Sequence, residues 1–263
     1  MITDPILHQT LPFIPWMDPR TMRLPGVLPV VGDDWLRVDE AFAGQMAVRD
    51  RLIATQEAAV HGMLDRARPA AMELFDKVLA QLTQTPGYIV GLDSVTRPDG
   101  QVVGLDRDWP MRTLGRLVQE DLCLMEAEGA EHMLTGAILC FPASWTLSEK
   151  LGRVMTGIHV PVEPYTQEVA RRVQRLFDAI RPEQPLWRMN YLTYADPTLH
   201  QPRLESDRRP RPDANTRVFV RSERQCLMRL PQTRAVVFSI HTYVLRLEDL
   251  PADAREALVS AGH

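Results

Sequence analysis

Apolar residues recur at helical spacing in the first third of the chain and at strand spacing in the last third. Residues 39–68 carry Phe42, Met46, Leu52, Ile53, Val60, Met63 and Leu64 three to four positions apart, which predicts a helix broken before Pro69. Residues 69–82 restart as helix with proline in the first turn and an apolar face of Met72, Leu74, Phe75, Val78, Leu79 and Leu82. Pro86-Gly87 stops it. Residues 88–96 and 101–106 flank Pro98-Asp99-Gly100 and predict a β-hairpin. Residues 111–126 read as helix, 133–141 as a buried strand, and 148–155 as a short helix with Ser148 as its N-cap. Residues 166–180 form an amphipathic pattern, with Val169, Val173, Leu176, Phe177 and Ile180 on one side and arginines on the other. Three strands follow, 186–194, 217–230 and 234–247; residues 196–215, rich in proline and arginine, form an exposed loop between the first two. Strands that cluster late and neighbour one another predict an α+β fold. It has an antiparallel sheet with helices on one face and added N-terminal helices.

Proline punctuates residues 1–36 at Pro5, Pro12, Pro15, Pro19, Pro25 and Pro29, too densely for helix. An extended arm is expected there, packing through Phe13, Ile14, Trp16 and Trp35. The organisation is then an arm (1–36), one domain (37–247) and a short tail (248–263). The 263 residues give ample length for a buried core. Thirty basic residues against 34 acidic give a net charge of −4, which does not argue for nucleic acid or an anionic membrane as partner. Three separate cysteines without a C-x-x-C pair exclude a zinc ribbon or an iron–sulfur cluster held by this chain, and fit a cytoplasmic, reducing compartment. No leader peptide and no apolar run long enough to span a membrane are expected.

The segment with the most chemistry runs from Leu117 to Tyr165. His159 sits there between Gly157 and two prolines, Pro161 and Pro164, with Lys150 and Arg153 just upstream. One imidazole on a stiff bend, apolar strand beside it and cations nearby is what a haem pocket needs: an axial ligand, greasy walls and partners for the propionates. A buried histidine capping a turn is the other reading. The late strands also place polar groups where strands normally bury apolar ones. Arg188 and Asn190 share a face; so do Arg221, Glu223 and Gln225, with Arg224 pointing the opposite way; so do Ser239, His241 and Tyr243. Either these polarise a ligand pocket or they form an ion-pair network that fixes the sheet. Glu120 and Asp121, read as adjacent on a helix, point about 100° apart and suit a structural role better than paired acid–base work. His200, at the start of a proline-rich loop that reads as surface, is the runner-up ligand; His61 reads as structural, and His8, His132 and His263 as peripheral.

Five blocks carry a resemblance: LVQEDLCLM, CFPASWTLSEKLG, GIHVPVEPY, SERQCLMRLPQT and FSIHTY. In this order and spacing the chain, over residues 12–247, resembles the haem-dependent oxidative N-demethylase alpha-subunit family. The resemblance implies a PAS-like sheet holding haem b. It implies a monooxygenase that converts a small secondary amine such as dimethylamine, with O2, to a primary amine and formaldehyde. Electrons would come from NADPH through FMN and 2Fe-2S centres on partner reductase subunits, which agrees with the lack of a dinucleotide-binding glycine motif here. It makes His159 the proximal iron ligand and Arg188, Glu223 and Arg224 the catalytic candidates; Lys150 and Arg153 read either as partners of the propionates or as the solvated face of a short helix. The chain departs from the family pattern at Tyr191, Met228 and His241; any of these that lined the pocket would change the amine accepted. Two rival functions are a haem-based gas or redox sensor, for which residues 248–263 offer little room for an effector, and a cofactor-less assembly subunit.

Overall fold

The computed structural model describes residues 6–22, 26–158, 167–207 and 218–260. In chain order its elements are β1 (Leu28–Pro29), α1 (Phe42–Thr55), α2 (Glu57–Val60), β2 (His61–Met63), α3 (Arg68–Leu82), β3 (Ile89–Val90), β4 (Ser94–Thr96), β5 (Val102–Gly104), α4 (Pro110–Leu117), β6 (Asp121–Glu128), β7 (Glu131–Ile138), α5 (Leu147–Lys150), α6 (Met155–Ile158), α7 (Gln167–Ala179), β8 (Leu186–Tyr194), β9 (Phe219–Arg229), β10 (Val236–Arg246) and α8 (Ala252–Ser260). Among the described residues, no helix is long and apolar enough to cross a membrane.

The fold is α+β. Seven described strands form one antiparallel sheet in the order β1-β8-β9-β10-β6-β7-β2, and β3-β4-β5 form a small second sheet. The three late strands lie where their period-2 pattern puts them, and β9 is buried along its whole length despite four charged side chains. Burial on both sides overturns the expectation of helices on one face. Behind the sheet, α1, α3 and α4 pack Leu52, Leu74, Phe75 and Leu114 against Leu122, Leu124, Met228 and Val237. In front, α7 packs Phe177 against Cys123, Met125, Leu227 and Ile240. A third cluster joins Trp16, Tyr243, Leu245 and Leu258, with the Trp16 indole N–H donating to the Ala254 carbonyl at 2.8 Å. Trp16 and Trp35 are both buried, and the Phe13 ring meets Trp187 edge-on.

Other expectations are corrected. The helix predicted over 39–68 ends at Thr55, because Gln56 leaves helical backbone (φ −141°, ψ 36°), and His61–Met63 instead pairs with β7. Gly62 permits that edge, since a Cβ there would lie 2.9 Å from Leu151 Cδ2. The helix predicted over 111–126 stops at Leu117, and its second half is β6. Leu122–Met125 is buried on both faces, so it has no alternation to separate it from helix. The strand predicted over 88–96 splits into β3 and β4, with Gly91 N–H bonded to the Ser94 carbonyl, while the Pro98-Asp99-Gly100 turn joins β4 to β5. The helix predicted over 148–155 is two helices, α5 and α6. Ser148 is not its N-cap; Thr146 precedes α5, and its hydroxyl donates to the Arg203 carbonyl.

Candidate functional site

The front of the sheet holds a cavity of about 750 Å³, within the range of cofactor and small-molecule sites. Pleating gives it alternate residues of four strands. Arg188, Asn190, Leu192 and Tyr194 come from β8; Arg221, Glu223, Gln225 and Leu227 from β9; Phe238 and Ile240 from β10; Cys123 and Met125 from β6. The roof is α7, through Val173, Leu176 and Phe177, with Trp145, Met155 and Ile158 beside it. Residues of the 195–207 segment, among them Leu204 and Glu205, close one side. That segment is anchored rather than freely exposed, because Leu199 and Gln201 are buried.

A polar strip crosses this apolar chamber. Glu223 Oε2 accepts from Asn190 Nδ2 and from Gln225 Nε2, each at 3.0 Å, while the Glu223 N–H donates to Asn190 Oδ1 at 3.0 Å. Glu223 Oε1 lies 3.6 Å from Arg221 Nε. Among the described residues Oε1 accepts no hydrogen bond and stands only in this longer ion pair with Arg221. The Arg221 guanidinium otherwise donates to the carbonyls of Leu199 (2.9 Å) and Phe141 (2.5 Å), which ties the 195–207 segment to the sheet. Arg188 is largely buried, and burial pulls its pKa below the usual arginine value while Glu223 opposes the shift. Ser144, with φ +66°, also lines the chamber, and its buried hydroxyl has no hydrogen-bond partner among the described residues.

The six site residues expected from sequence are not brought together as a set. Arg188 and Glu223 face the cavity. Arg224 does not: it lies on the opposite face, where its guanidinium donates to the Asp34 carbonyl at 2.6 Å and stacks over Trp187. Lys150 lines the cavity but is engaged, with Nζ 2.5 Å from Glu205 Oε1 and 2.7 Å from the Ile158 carbonyl. Arg153 stands 3.0 Å from the same Glu205 oxygen and is largely exposed. His159 lies outside the described residues, but the preceding residue, Ile158, lines the cavity. No described histidine does so. Cys123 is present in the wall; burial raises its pKa far above neutrality, so it offers a thiol and not a thiolate.

Sequence reasoning missed Glu205 and Ser144. Glu205 lies 55 residues from Lys150 in a stretch that reads as exposed loop, and no spacing rule connects the two. Ser144 carries no signal beyond its place in an apolar block. The three family departures all fall behind the sheet. Tyr191 packs on Trp16, Met228 sits in the rear core, and His241 is buried between two carboxylates. None of them lines the cavity.

His241 belongs to a second cluster. Its Nδ1 lies 2.8 Å from Glu120 Oε1 and its Nε2 2.8 Å from Asp39 Oδ2; His8 Nε2 lies 2.9 Å from the same Asp39 oxygen. The two imidazoles and Asp39 have the proximity of a metal site. Their protons argue otherwise. His8 Nδ1 accepts from the Val244 N–H, so its Nε2 carries the hydrogen and donates to Asp39. The two carboxylates, chiefly through hydrogen bonds, raise the His241 pKa to about 9 against the opposing effect of burial, so it donates from both nitrogens. This is an imidazolium clamped between two acids. The structural role expected for Glu120 agrees with its other contact, the Arg37 backbone N–H at 2.8 Å.

Compared with known families, the chain matches over residues 26–261 the family described as haem-dependent oxidative N-demethylase, alpha subunit-like.

Proposed function

The chain belongs to the haem-dependent oxidative N-demethylase, alpha subunit-like family, and from that premise we propose that it is the haem-carrying subunit of a monooxygenase acting on a small secondary amine. The observation that carries the reading is the front cavity: apolar walls and a polar strip meet in one chamber, and Ile158, the residue before His159, is in its wall. The residues fit a porphyrin. Cys123, Met125, Phe177, Leu227, Phe238 and Ile240 supply apolar surface, Arg188 supplies a guanidinium, and Ser144 supplies a hydroxyl without a hydrogen-bond partner among the described residues. In this reading His159, which the family resemblance marks, would hold the iron through a neutral imidazole. Lys150, in the cavity wall, and Arg153, outside it, are both held by Glu205 and in this reading do not meet propionates directly. The sheet is PAS-like, the cofactor is haem b, and the compartment is the cytoplasm.

When bound, haem supplies the oxygen activation and the electron-transfer chemistry. The chain's own part is placement. Glu223 Oε1 takes an ammonium proton and points the amine's methyl group into the chamber, while Asn190 and Gln225 fix the other carboxylate oxygen. The overall change consumes one amine, one O2, two electrons and two protons, and gives the primary amine, formaldehyde and water. The electrons come from partner reductase subunits carrying FMN and a 2Fe-2S centre and drawing on NADPH.

Absorption spectroscopy and product analysis test this. Purified protein reconstituted with haem should show a Soret band that His159→Ala abolishes, and formaldehyde should form from dimethylamine with a surrogate reductant. Glu223→Gln should keep the Soret band and lower formaldehyde release about 10²-fold or more. A colourless wild type would defeat the haem reading. A haem protein that gives no formaldehyde would leave a sensor in its place.

A further inference from the structure

Arg188 is a cation without a hydrogen-bond acceptor among the described residues. It stands on β8 opposite Gln225 and two residues from Asn190, facing the front cavity. The neighbouring cations are engaged: Lys150 by Glu205 and the Ile158 carbonyl, Arg221 by the Leu199 and Phe141 carbonyls, Arg172 by Glu168. The closest acid, Glu223, has Oε2 taken by Asn190 and Gln225 and Oε1 turned toward Arg221. No described acceptor lies within hydrogen-bond distance of Arg188. Burial pulls its pKa down, with the charge of Glu223 opposing the shift.

We propose that Arg188 is the receptor for a carboxylate entering this cavity, gripped through the planar fork of its guanidinium. A carboxylate matches that fork with two parallel hydrogen bonds. A more highly charged anion such as phosphate does not suit a chamber of apolar walls with Glu223 nearby. Two sources carry the group. One is a propionate of the porphyrin, which rests on the haem reading above and moves the propionate contact from Lys150 and Arg153 to Arg188. The other is the carboxylate of a zwitterionic N-methyl amino acid whose ammonium meets Glu223 Oε1.

The test uses wild type, Arg188→Met and Arg188→Lys. Without ligand, Arg188→Met is expected to melt no lower than wild type, because a desolvated charge without a partner is removed; a drop of several degrees would reveal a structural partner and overturn the proposal. If the carboxylate is the cofactor's, Arg188→Met weakens haem binding, read by Soret titration, about tenfold or more. Haem dimethyl ester then binds wild type and Arg188→Met equally. If it is the substrate's, haem affinity is unchanged, and N-methylglycine raises the melting temperature of wild type but not of Arg188→Met, while dimethylamine acts on both alike. Arg188→Lys, which keeps the charge and loses the fork, falls between. A wild type that binds no haem defeats the haem reading alone, and the N-methylglycine arm then decides the proposal. Equal binding of both probes by wild type and Arg188→Met defeats it.

Discussion

Lys150 Nζ stands 2.5 Å from Glu205 Oε1 and joins α5 to the segment that closes one side of the cavity. Lys150 is almost fully buried, and its other acceptor is the Ile158 carbonyl, next to His159. The bridge and its hydrogen bond hold the Glu205 carboxyl below the usual carboxylate range. A lowered folded pKa means that the bridge's contribution is present above the ordinary carboxylate pKa and is lost as pH falls through the lowered one. Glu205→Gln removes the charge at every pH. The variant is expected to be cleaved within residues 195–207 several times faster than wild type in limited proteolysis. An unchanged cleavage rate would mean that the Thr146 and Arg221 contacts suffice to hold the segment.

The His241 clamp predicts a pH profile of the opposite sign. Its folded pKa, about 9, lies above the ordinary 6.5, so its contribution is complete below pH 6.5 and is lost as pH rises to about 9. The whole contribution is about 3 kcal/mol, from a shift of two to three units. Wild-type melting temperature should therefore fall across that window. His241→Gln should melt lower than wild type at pH 6 and show a flatter profile. Parallel profiles for the two proteins would remove the clamp as the cause.

Asp121 holds a rear junction together. Its Oδ1 accepts from Arg49 Nη1 and the Cys140 N–H, both at 2.7 Å, and its Oδ2 accepts from the Phe141 N–H at 2.8 Å. Arg49 and Asp121 are both fully buried. Asp121→Asn leaves a buried guanidinium without its counter-ion and is expected to cost about 3–5 kcal/mol, read as a fall in the urea midpoint.

Gly115 is the contact point of α4 with β7. An added Cβ would lie 2.3 Å from Ile138 Cγ1, in a region with no solvent-exposed side to yield. Alanine would gain up to about 1 kcal/mol of helix propensity, but overpacking costs about 1–3 kcal/mol, so Gly115→Ala is expected to be net destabilising. A melting temperature at or above wild type would show that α4 shifts freely.

The last three strands and α7 were legible because each has one strong period, 2 for the strands and 3.6 for Val173, Leu176, Phe177 and Ile180. Alternation also separated Glu223 from Arg224, although no pattern says which side of a sheet encloses a chamber. β6 was not legible, because Leu122–Met125 is apolar on both sides and reads equally as helix. The Glu205 bridge and the Asp121 junction join residues 55 and 72 positions from their partners, Lys150 and Arg49. Local propensity carries no trace of such contacts, so the chamber's closure had to come from tertiary structure.

Neighbouring residues of β8, β9 and β10 look out on opposite sides of one sheet. Tyr191, Met228 and His241 therefore face the packing behind the sheet, while Arg188, Glu223 and Gln225 face the cavity. Every second position of these strands can be rewritten for a bulkier guest without disturbing the packing behind. The barrier between scaffold and chemistry in this protein is a single layer of backbone.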